Sequence, residues 1–544
     1  MATRYGITMT RAPEAGVPLG RIETPRLVYA VIAVCTAAAA FLRFYQLTRP
    51  GYLLGVTEYD DGVQFGDAAR LVSGVIPYRD FVVMQPPGGI VLMAPVALLA
   101  KVTGSAWGLA IARLLTAAAD TACVALLGLL VRHRGPVAAG IACGIYAVYP
   151  DALVAAHTLL LEPWLNLFCL VGALLAFDGD RLTDGRRLAW GGVAFGFAAA
   201  VKLWALVPLA VIGLLLLRRP RRLGLLAGGA VAGLGAPVLP FLALAPTGLT
   251  KDVVISQFVR ANLGHPSPLP RLTNLAGLSL FPHLSSRLGV LLLLAVAAIV
   301  AIGYMAACRA GARLPTALDW YALIGLVAVT GMLLWSYGYW THYGAVAGPF
   351  IALVLALPAG LLRPAEHRAQ IVPLLAVCAV AVIVVAALGL RQFATETRLH
   401  TWTRVAARAD RLIPPGACVL TDDTSLTVSA DRFASSAPGC PAMVDAYGTL
   451  LAMTDGRKML ASPREVRSVT ALWSAEFARA PYVWLETGSG GRIPWTASLY
   501  DYFTDHFRLL GLVNGPGAHD VPTGGLYVRR YTRTRFGPGL NVGG

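Results

Sequence analysis

The stretch TEYDDG at residues 57–62 decides how the chain is interpreted, because it places three carboxylates just after the first long apolar run. Two more polar motifs follow before the next apolar run, YRDF at residues 78–81 and QPPG at residues 85–88. Carboxylates beside a lipid bilayer are costly unless they face water or a partner, so they indicate a functional site at a membrane face. The alternative is a solvated loop, which fits the glutamate better than the aspartate pair.

The composition is that of a polytopic membrane protein. Of the 544 residues, 56% are hydrophobic and 14% are charged, and the mean hydropathy is +0.64, whereas soluble domains are about 25% charged. The net charge of +16 is concentrated in arginine clusters at the ends of apolar runs, such as residues 132–134 and 218–222. Such clusters are typical of cytoplasmic anchors of transmembrane helices and argue against a nucleic-acid partner.

Apolar runs that are long enough to cross a bilayer recur up to residue 390. They lie near residues 27–46, 107–131, 136–156, 158–177, 223–246, 287–307, 317–336, 344–361 and 370–390. Residues 86–104 are a short additional run, and residues 188–217 suit either one tilted helix or two half-length helices that meet near Lys202. The pattern predicts an α-helical membrane protein with about eleven transmembrane helices.

The positive-inside rule orients these helices. Every arginine-rich turn lies inside the cell if residues 86–104 run along the outer face or dip into it. The predicted parts are a cytoplasmic tail at 1–26, a transmembrane module at 27–390 with an outer catalytic loop at 47–106, an extracytoplasmic domain at 391–534 and a disordered tail at 535–544. The protein is therefore expected in the plasma membrane, with the unusual polar residues on the extracytoplasmic side.

The carboxyl-terminal region is predicted to be a small α/β domain. Short strand-like segments such as residues 417–420 and 482–485 alternate there with helix-like stretches such as 463–479. Cys418 and Cys440 lie in this polar region without a histidine or a second cysteine pair nearby, so we expect a disulfide rather than a zinc site. A disulfide requires that the region face an oxidising compartment.

The aspartate pair is the leading candidate for catalysis. A carboxylate at Asp60 or Asp61 can accept the proton of an acceptor hydroxyl during group transfer. Two adjacent carboxylates also repel each other, which raises the pKa of one of them. A divalent metal is the alternative use of the same pair, and it is the only cofactor that the sequence suggests.

Other polar residues on the predicted outer side are candidates for binding a substrate or its carrier. Glu162 precedes a proline at a helix end, and Lys202 is a lone cation in an apolar stretch that suits a lipid phosphate or snorkels to the interface. His157 is equally well explained as a buried interface histidine. The remaining candidates are Glu58, Arg79, Gln85, Gln257, Arg260, His342 and Tyr343, the last two at the end of an aromatic group that also resembles an interfacial belt.

Four motifs, in order, resemble the glycosyltransferase-C superfamily, in the branch with protein O-mannosyltransferases, lipid A aminoarabinose transferases and actinobacterial wall-polymer transferases. They are the Asp60-Asp61 pair, QPPG at 85–88, Glu162-Pro163 and the Gly/Ala-rich run at 191–202 that ends in lysine. The resemblance covers roughly residues 27–390. The chain departs from the pattern at Asp61, where many relatives have Glu, and at Gln85, where the aminoarabinose branch tends to have Lys.

The resemblance implies an enzyme that transfers a sugar, with inversion, from a polyprenyl-phosphate carrier to an acceptor hydroxyl on the outer face. In that scheme Asp60 is the general base, and Lys202 and Arg260 hold the carrier phosphate. Mannose is the favoured sugar and arabinofuranose the second, and the acceptor is a cell-envelope glycan, a lipoglycan or a protein. Membrane lipid is the other expected partner.

Two other classes of function remain open. A flippase or transporter for lipid-linked saccharides needs polar residues along a path across the whole membrane, and their clustering at one face argues against it. A non-catalytic assembly protein would use the outer domain and keep the aspartate pair as a scaffold contact. Activity that survives the loss of Asp60 would favour this last class.

Overall fold

The computed structural model describes residues 25–259, 267–278, 285–309, 315–356, 387, 402–433, 438–454, 456–457, 459–486, 492–513 and 525–530. The following paragraphs refer to these residues.

The amino-terminal part is helical apart from one short hairpin. Its helices are α1 (Pro25–Leu47), α2 (Tyr59–Val72), α3 (Gly88–Thr103), α4 (Ser105–Val131), α5 (Pro136–Val148), α6 (Pro150–Ala156), α7 (Glu162–Ala176), α8 (Gly185–Val201), α9 (Leu206–Leu215), α10 (Pro220–Leu244), α11 (Pro246–Leu249), α12 (Ser256–Val259), α13 (Pro268–Leu275), α14 (Ser286–Arg309), α15 (Ala317–Trp335) and α16 (Gly348–Ala356). Short 3-10 helices cover Arg132–Arg134, Leu203–Ala205 and Thr341–Val346, and a π-helical turn covers Thr250–Ile255. Strands β1 (Phe177–Asp178) and β2 (Arg181–Leu182) form the antiparallel hairpin.

Four of the described helices are long and apolar enough to cross a membrane, which makes the chain a multi-pass membrane protein. They are Arg26–Leu47, Ser105–Arg134, Pro220–Leu244 and Ala317–Trp335. A bent pair of helices, α5 and α6, makes a fifth candidate. The predicted run at 370–390 lies outside the described residues except for residue 387, so the number of about eleven spans stays a prediction.

Two apolar runs are broken by their own sequence. The run at 136–156, predicted as one span, bends by 58° between α5 and α6, where Tyr149 is extended and Pro150 has no N–H to continue the helix. The run at 188–217 is two helices, α8 and α9, because Lys202 leaves helical geometry (φ −154°, ψ 128°). Of the two alternatives for this run, the structure therefore confirms the pair of helices that meet at Lys202.

The carboxyl-terminal region combines a mixed sheet with helices. The helices are α17 (Trp402–Leu412), α18 (Thr424–Ser429), α19 (Ala446–Met453), α20 (Pro463–Arg479) and α21 (Ala497–His506), and the strands are β3 (Val419–Thr421), β4 (Tyr482–Trp484), β5 (Phe507–Leu512) and β6 (Gly525–Arg529). The strand order is β3-β4-β6-β5, with β3 and β4 parallel and the other pairs antiparallel. Cys418 and Cys440 form a disulfide. The exact domain boundaries stay a prediction.

Helix α2 lies between the helical part and this carboxyl-terminal region. A hydrophobic cluster joins Phe65 of α2 to Val428, Phe433 and Val444. The contact is close at Gly62, where a Cβ atom would lie 2.1 Å from the backbone nitrogen of Ser425. The segment that carries the aspartate pair is thus held on both sides.

Candidate active site

Local interactions explain why Asp60 and Asp61 lie at the start of α2. Glu58 is the N-cap residue, and its side chain accepts a hydrogen bond from the Tyr59 backbone N–H (3.2 Å). Asp60 and Asp61 then occupy the first turn, where negative charge is favourable at the positive end of the helix dipole.

Asp61 is fully buried, and both of its carboxylate oxygens accept hydrogen bonds. Arg113 of α4 donates to Oδ2 from Nη2 (2.5 Å) and Nε (3.1 Å), and the Thr57 hydroxyl donates to the same oxygen (2.8 Å). The backbone N–H of Leu159 donates to Oδ1. This carboxylate anchors α2 to α4 and to the segment before α7, and its catalytic role stays a prediction.

Asp60 has the opposite environment. Its side chain is half-buried, and no hydrogen bond to it is found within the described part of the chain. Burial and the negative charge of Asp445 raise the pKa of Asp60 to about 7, against an opposing effect of Lys202. The carboxylate is therefore free to accept a proton near neutral pH.

Glu162 and Lys202 form a buried ion pair next to Asp60. Glu162 begins α7, with a proline in the first turn, and Lys202 lies at the break after α8. The Lys202 Nζ atom is 2.5 Å from Glu162 Oε1, while Glu162 Oε2 is buried without a hydrogen-bond partner. Both side chains contribute to the electrostatic potential at Asp60, so the three groups belong to one site.

Aromatic rings enclose the ammonium group of Lys202. Its Nζ atom lies 3.9 Å from the centroid of Trp204 and 4.3 Å from that of Tyr343. Such cation–π contacts stabilise a desolvated charge. His342, next to Tyr343, has its Nε2 atom 4.0 Å from Glu162 Oε1. The structure therefore brings both predicted residues of the aromatic group to the ion pair.

The 3-10 helix with His342 and Tyr343 is fixed by Asn274 of α13. The Asn274 amide donates to Asp151 Oδ2 (2.9 Å), to the Tyr339 hydroxyl (2.8 Å) and to the Thr341 carbonyl oxygen (3.1 Å). This buried network sets the position of the segment that covers Lys202.

The QPPG motif packs against the same site. A Cβ atom at Gly88 would lie 2.5 Å from the carbonyl oxygen of Ala200, two residues before Lys202. The Tyr78 hydroxyl donates to the carbonyl oxygen of Gln85 (2.7 Å), which fixes the start of the motif. No hydrogen bond of the Gln85 side chain is found among the described residues.

Several residues that were predicted to belong to the site lie away from it or outside the described residues. Arg79 is exposed and pairs with its neighbour Asp80 (2.8 Å), and its predicted role in binding stays a prediction. His157 is buried, with Nε2 3.4 Å from the Leu42 carbonyl oxygen of α1, which makes it a packing contact between helices. The side chain of Gln257 and the whole of Arg260 lie outside the described residues.

Two acidic residues near Asp60, and one arginine that lies over the Tyr339 ring, were not predicted from the sequence. Asp67 lies two helical turns beyond Asp60, a spacing that could have revealed it. Asp445 comes from the carboxyl-terminal region, and nothing in the sequence relates it to Asp60. Arg271 of α13 donates from Nη1 to the Leu333 and Leu334 carbonyl oxygens (2.9 and 3.1 Å), whereas its Nε and Nη2 atoms are buried and have no partner among the described residues.

Among the described residues, no three histidine, cysteine or acidic side chains come together as a metal site. Of the two Asp61 oxygens, Oδ2 is bound to Arg113 and Oδ1 accepts a hydrogen bond from the Leu159 backbone N–H.

The fold of this chain matches that of the crystal structure of ArnT, so its class is the glycosyltransferase-C fold. The resemblance predicted from the four motifs is confirmed at this level. Neither a protein-family model nor a curated protein sequence matches the chain.

The comparison with solved structures found the following matches. The crystal structure of ArnT from Cupriavidus metallidurans bound to undecaprenyl phosphate matches 83% of this chain and 91% of its own, with 16% identity and a TM-score of 0.53. The apo state of the same protein matches 79% of this chain and 92% of its own, with 17% identity and a TM-score of 0.50. The Archaeoglobus fulgidus oligosaccharyltransferase in complex with Zn and sulfate matches 83% of this chain and 67% of its own, with 13% identity and a TM-score of 0.47.

Proposed function

We propose that the protein is a membrane glycosyltransferase that moves a sugar from a polyprenyl-phosphate carrier to an acceptor hydroxyl. The observation that carries the proposal is the free, half-buried carboxylate of Asp60 beside the ion pair of Glu162 and Lys202. The likeness to ArnT, which was crystallised with undecaprenyl phosphate, supports a polyprenyl carrier.

Asp60 is the general base in this mechanism. Its carboxylate takes the proton of the acceptor hydroxyl as the oxygen attacks the anomeric carbon. A new carbon–oxygen bond forms while the bond from the anomeric carbon to the phosphate oxygen breaks, and the configuration inverts. The leaving polyprenyl phosphate takes the bonding electron pair.

Cations meet the charge that develops on the leaving phosphate. The Lys202 ammonium, paired with Glu162 and flanked by the rings of Trp204 and Tyr343, supplies positive charge for the leaving phosphate. Arg271 adds an unpartnered Nε and Nη2 edge, which is the side of a guanidinium that binds an anion with two parallel hydrogen bonds. The predicted contribution of Arg260 remains part of the proposal.

The finer assignments are also proposals. Mannose is the favoured sugar, arabinofuranose is the second, and the acceptor is a cell-envelope glycan, lipoglycan or protein. The site is placed on the extracytoplasmic side of the plasma membrane, in accordance with the arginine-rich turns on the other side.

The test is sugar transfer in membranes from radiolabelled polyprenyl-phosphate mannose and polyprenyl-phosphate arabinose in parallel. Wild type is compared with Asp60→Asn and with a matched control, Asp501→Asn, which changes an exposed aspartate of α21. Loss of a positioned general base lowers the rate by roughly 10²- to 10⁴-fold. We expect Asp60→Asn to lose transfer from one donor at unchanged protein level, whereas the control retains it.

Two outcomes would contradict the proposal. Equal transfer by wild type and Asp60→Asn would favour a scaffold role for the aspartate pair. No transfer by wild type from either donor would favour a flippase.

A further inference from the structure

One face of α2 carries three polar side chains at helical spacing. Asp60, Gln64 and Asp67 are four and three residues apart, which places them above one another on the same side of the helix. Gln64 and Asp67 are buried, with 8% and 2% of their surface exposed. Buried polar side chains are normally hydrogen-bonded, so we expect this polar stripe next to the candidate base to have a hydrogen-bonding partner.

The 440–448 segment of the carboxyl-terminal region packs along the side of α2 that neighbours this stripe. Its Val444 side chain packs against Gly66 of α2. Asp445 is the N-cap residue of α19, and its Oδ1 atom accepts hydrogen bonds from the Gly448 backbone N–H (2.6 Å) and from the Tyr59 hydroxyl (2.8 Å). The charge of Asp445 acts on both Asp60 and Asp67, so its carboxylate lies within electrostatic reach of both ends of the stripe.

The stripe has hydrogen-bonding capacity that the described residues leave unused. Asp67 Oδ1 is buried without a hydrogen-bond partner. No hydrogen bond of the Gln64 side chain is found in the described part of the chain either, and its Oε1 atom lies beside Gly89 of α3. An unpaired polar atom in a buried position is unfavourable, so these atoms point to a polar ligand.

We propose that α2 and the 440–448 segment form a subsite for the hydroxyl groups of a neutral sugar acceptor, with Asp67, Gln64 and Asp445 as its binding residues. The inference rests on the proposed function and deepens it, because it states where the acceptor lies. Lys202 and Glu162, which serve the donor phosphate, are not part of this subsite.

The chemistry of the subsite suits a polyol better than an amine. Burial and the charge of Asp445 raise the pKa of Asp67 well above its usual value, and the pKa of Asp60 is raised to about 7. The Gln64 amide offers donors as well as acceptors, and the carboxyl groups of Asp67 and Asp445 offer acceptors. Sugar hydroxyls can use both, whereas an ammonium group can only donate.

The test uses the purified full-length protein with octyl mannoside as the acceptor probe and polyprenyl-phosphate mannose as the donor. Asp445→Asn and Asp67→Asn are compared with wild type and with Asp501→Asn. Asparagine keeps an oxygen that can cap α19, so Asp445→Asn removes the charge and retains the cap. A hydrogen bond to a charged group contributes enough that we expect the acceptor KM to rise about tenfold or more, with the donor KM unchanged.

A second measurement does not depend on turnover. Calorimetric titration with octyl mannoside and with the unacetylated octyl glucosaminide, which carries an amine, gives the affinity of each variant. We expect wild type and Asp501→Asn to bind the neutral probe, and Asp445→Asn and Asp67→Asn to bind it about tenfold more weakly.

Each of the other possible results would contradict a different part of the proposal. Binding and acceptor KM equal to those of Asp501→Asn in both variants would overturn the subsite. Binding of the amine probe alone, lost in Asp445→Asn, would overturn its neutral chemistry. Acceptor binding that depends on Asp445 without any sugar transfer by wild type would overturn the proposed function and leave the subsite in place.

Discussion

At the scale of single residues, the site depends on how differently two adjacent aspartates are surrounded. Asp61 has the buried guanidinium of Arg113 bonded to its Oδ2 atom. Asp60 has no such partner among the described residues, and burial and Asp445 hold its pKa near 7. The sequence identifies the pair, and only the positions of Arg113 and Asp445 separate a structural carboxylate from a reactive one.

The two aspartates should therefore differ in their effect on stability. Asp61→Asn removes the charge that compensates buried Arg113, and loss of one partner of a buried ion pair destabilises by about 3–5 kcal/mol. Asp60→Asn removes a charge that burial disfavours, so it should leave the melting temperature unchanged or raised. Thermal unfolding of the purified variants in detergent measures this difference. Equal losses of stability would contradict the division of roles.

The pH dependence of transfer should reflect the ionisation of Asp60. A general base acts only when deprotonated, so kcat/KM should rise with pH through about 7, the pKa of Asp60. Glu162 is one of the negative charges that raise this pKa. Glu162→Gln should therefore move the acidic limb to lower pH, and Asp501→Asn should leave it in place. A limb that does not move in Glu162→Gln would show that another group titrates.

At the scale of elements, the break at Lys202 and the bend at Pro150 mark what hydropathy can and cannot predict. For the run at 188–217 the sequence left open one tilted helix or two helices that meet near Lys202, and the structure has the pair α8 and α9. Pro150 gave a comparable local signal, but the run at 136–156 is long enough for one span and was predicted as such. Run length predicts that a segment is helical, and backbone hydrogen bonding decides whether the helix continues.

The junction of α3 with α8 should tolerate no side chain at Gly88. A Cβ atom there would lie 2.5 Å from the backbone carbonyl of Ala200, which cannot move without displacing Lys202. Gly88→Ala should lower both the melting temperature and sugar transfer, since overpacking of this kind costs about 1–3 kcal/mol. Gly228→Ala in α10 is the matched control, because no atom lies within 4 Å of a Cβ at that position. Normal transfer by Gly88→Ala would show that the position of Lys202 does not depend on this contact.

At the scale of the whole molecule, the site is assembled from residues far apart in the chain. The hydrogen bond from Tyr59 to Asp445 joins residues 386 positions apart, and the pair of Glu162 and Lys202 joins residues 40 apart. Composition and run length were sufficient to predict a helical membrane protein, and four motifs pointed to its fold. Composition, run length and short motifs contain no information on which distant residues make contact. Neither the position of Asp445 near Asp60 nor the ion pair of Arg113 with Asp61 could therefore be predicted.

The disulfide offers a test of the orientation of the whole molecule. Cys418 and Cys440 are joined in the structure, and Cys440 is five residues before Asp445. Disulfides are rare in the reducing cytosol, so an extracytoplasmic carboxyl-terminal region should have this pair oxidised in growing cells. Free thiols are blocked in denaturant at the moment of lysis, and the protein is then reduced and labelled with a maleimide-linked polymer.

We expect wild type to gain two tags after reduction, one for each cysteine of the disulfide. The control with Cys418→Ser and Cys440→Ser together should gain none. The remaining cysteines do not interfere, because any that are free in the cell, such as Cys123 and Cys169, are blocked before reduction. A wild-type protein that gains no tag would have reduced thiols in vivo, and the site with Asp60 and Asp445 would then have to be placed on the cytoplasmic side of the membrane.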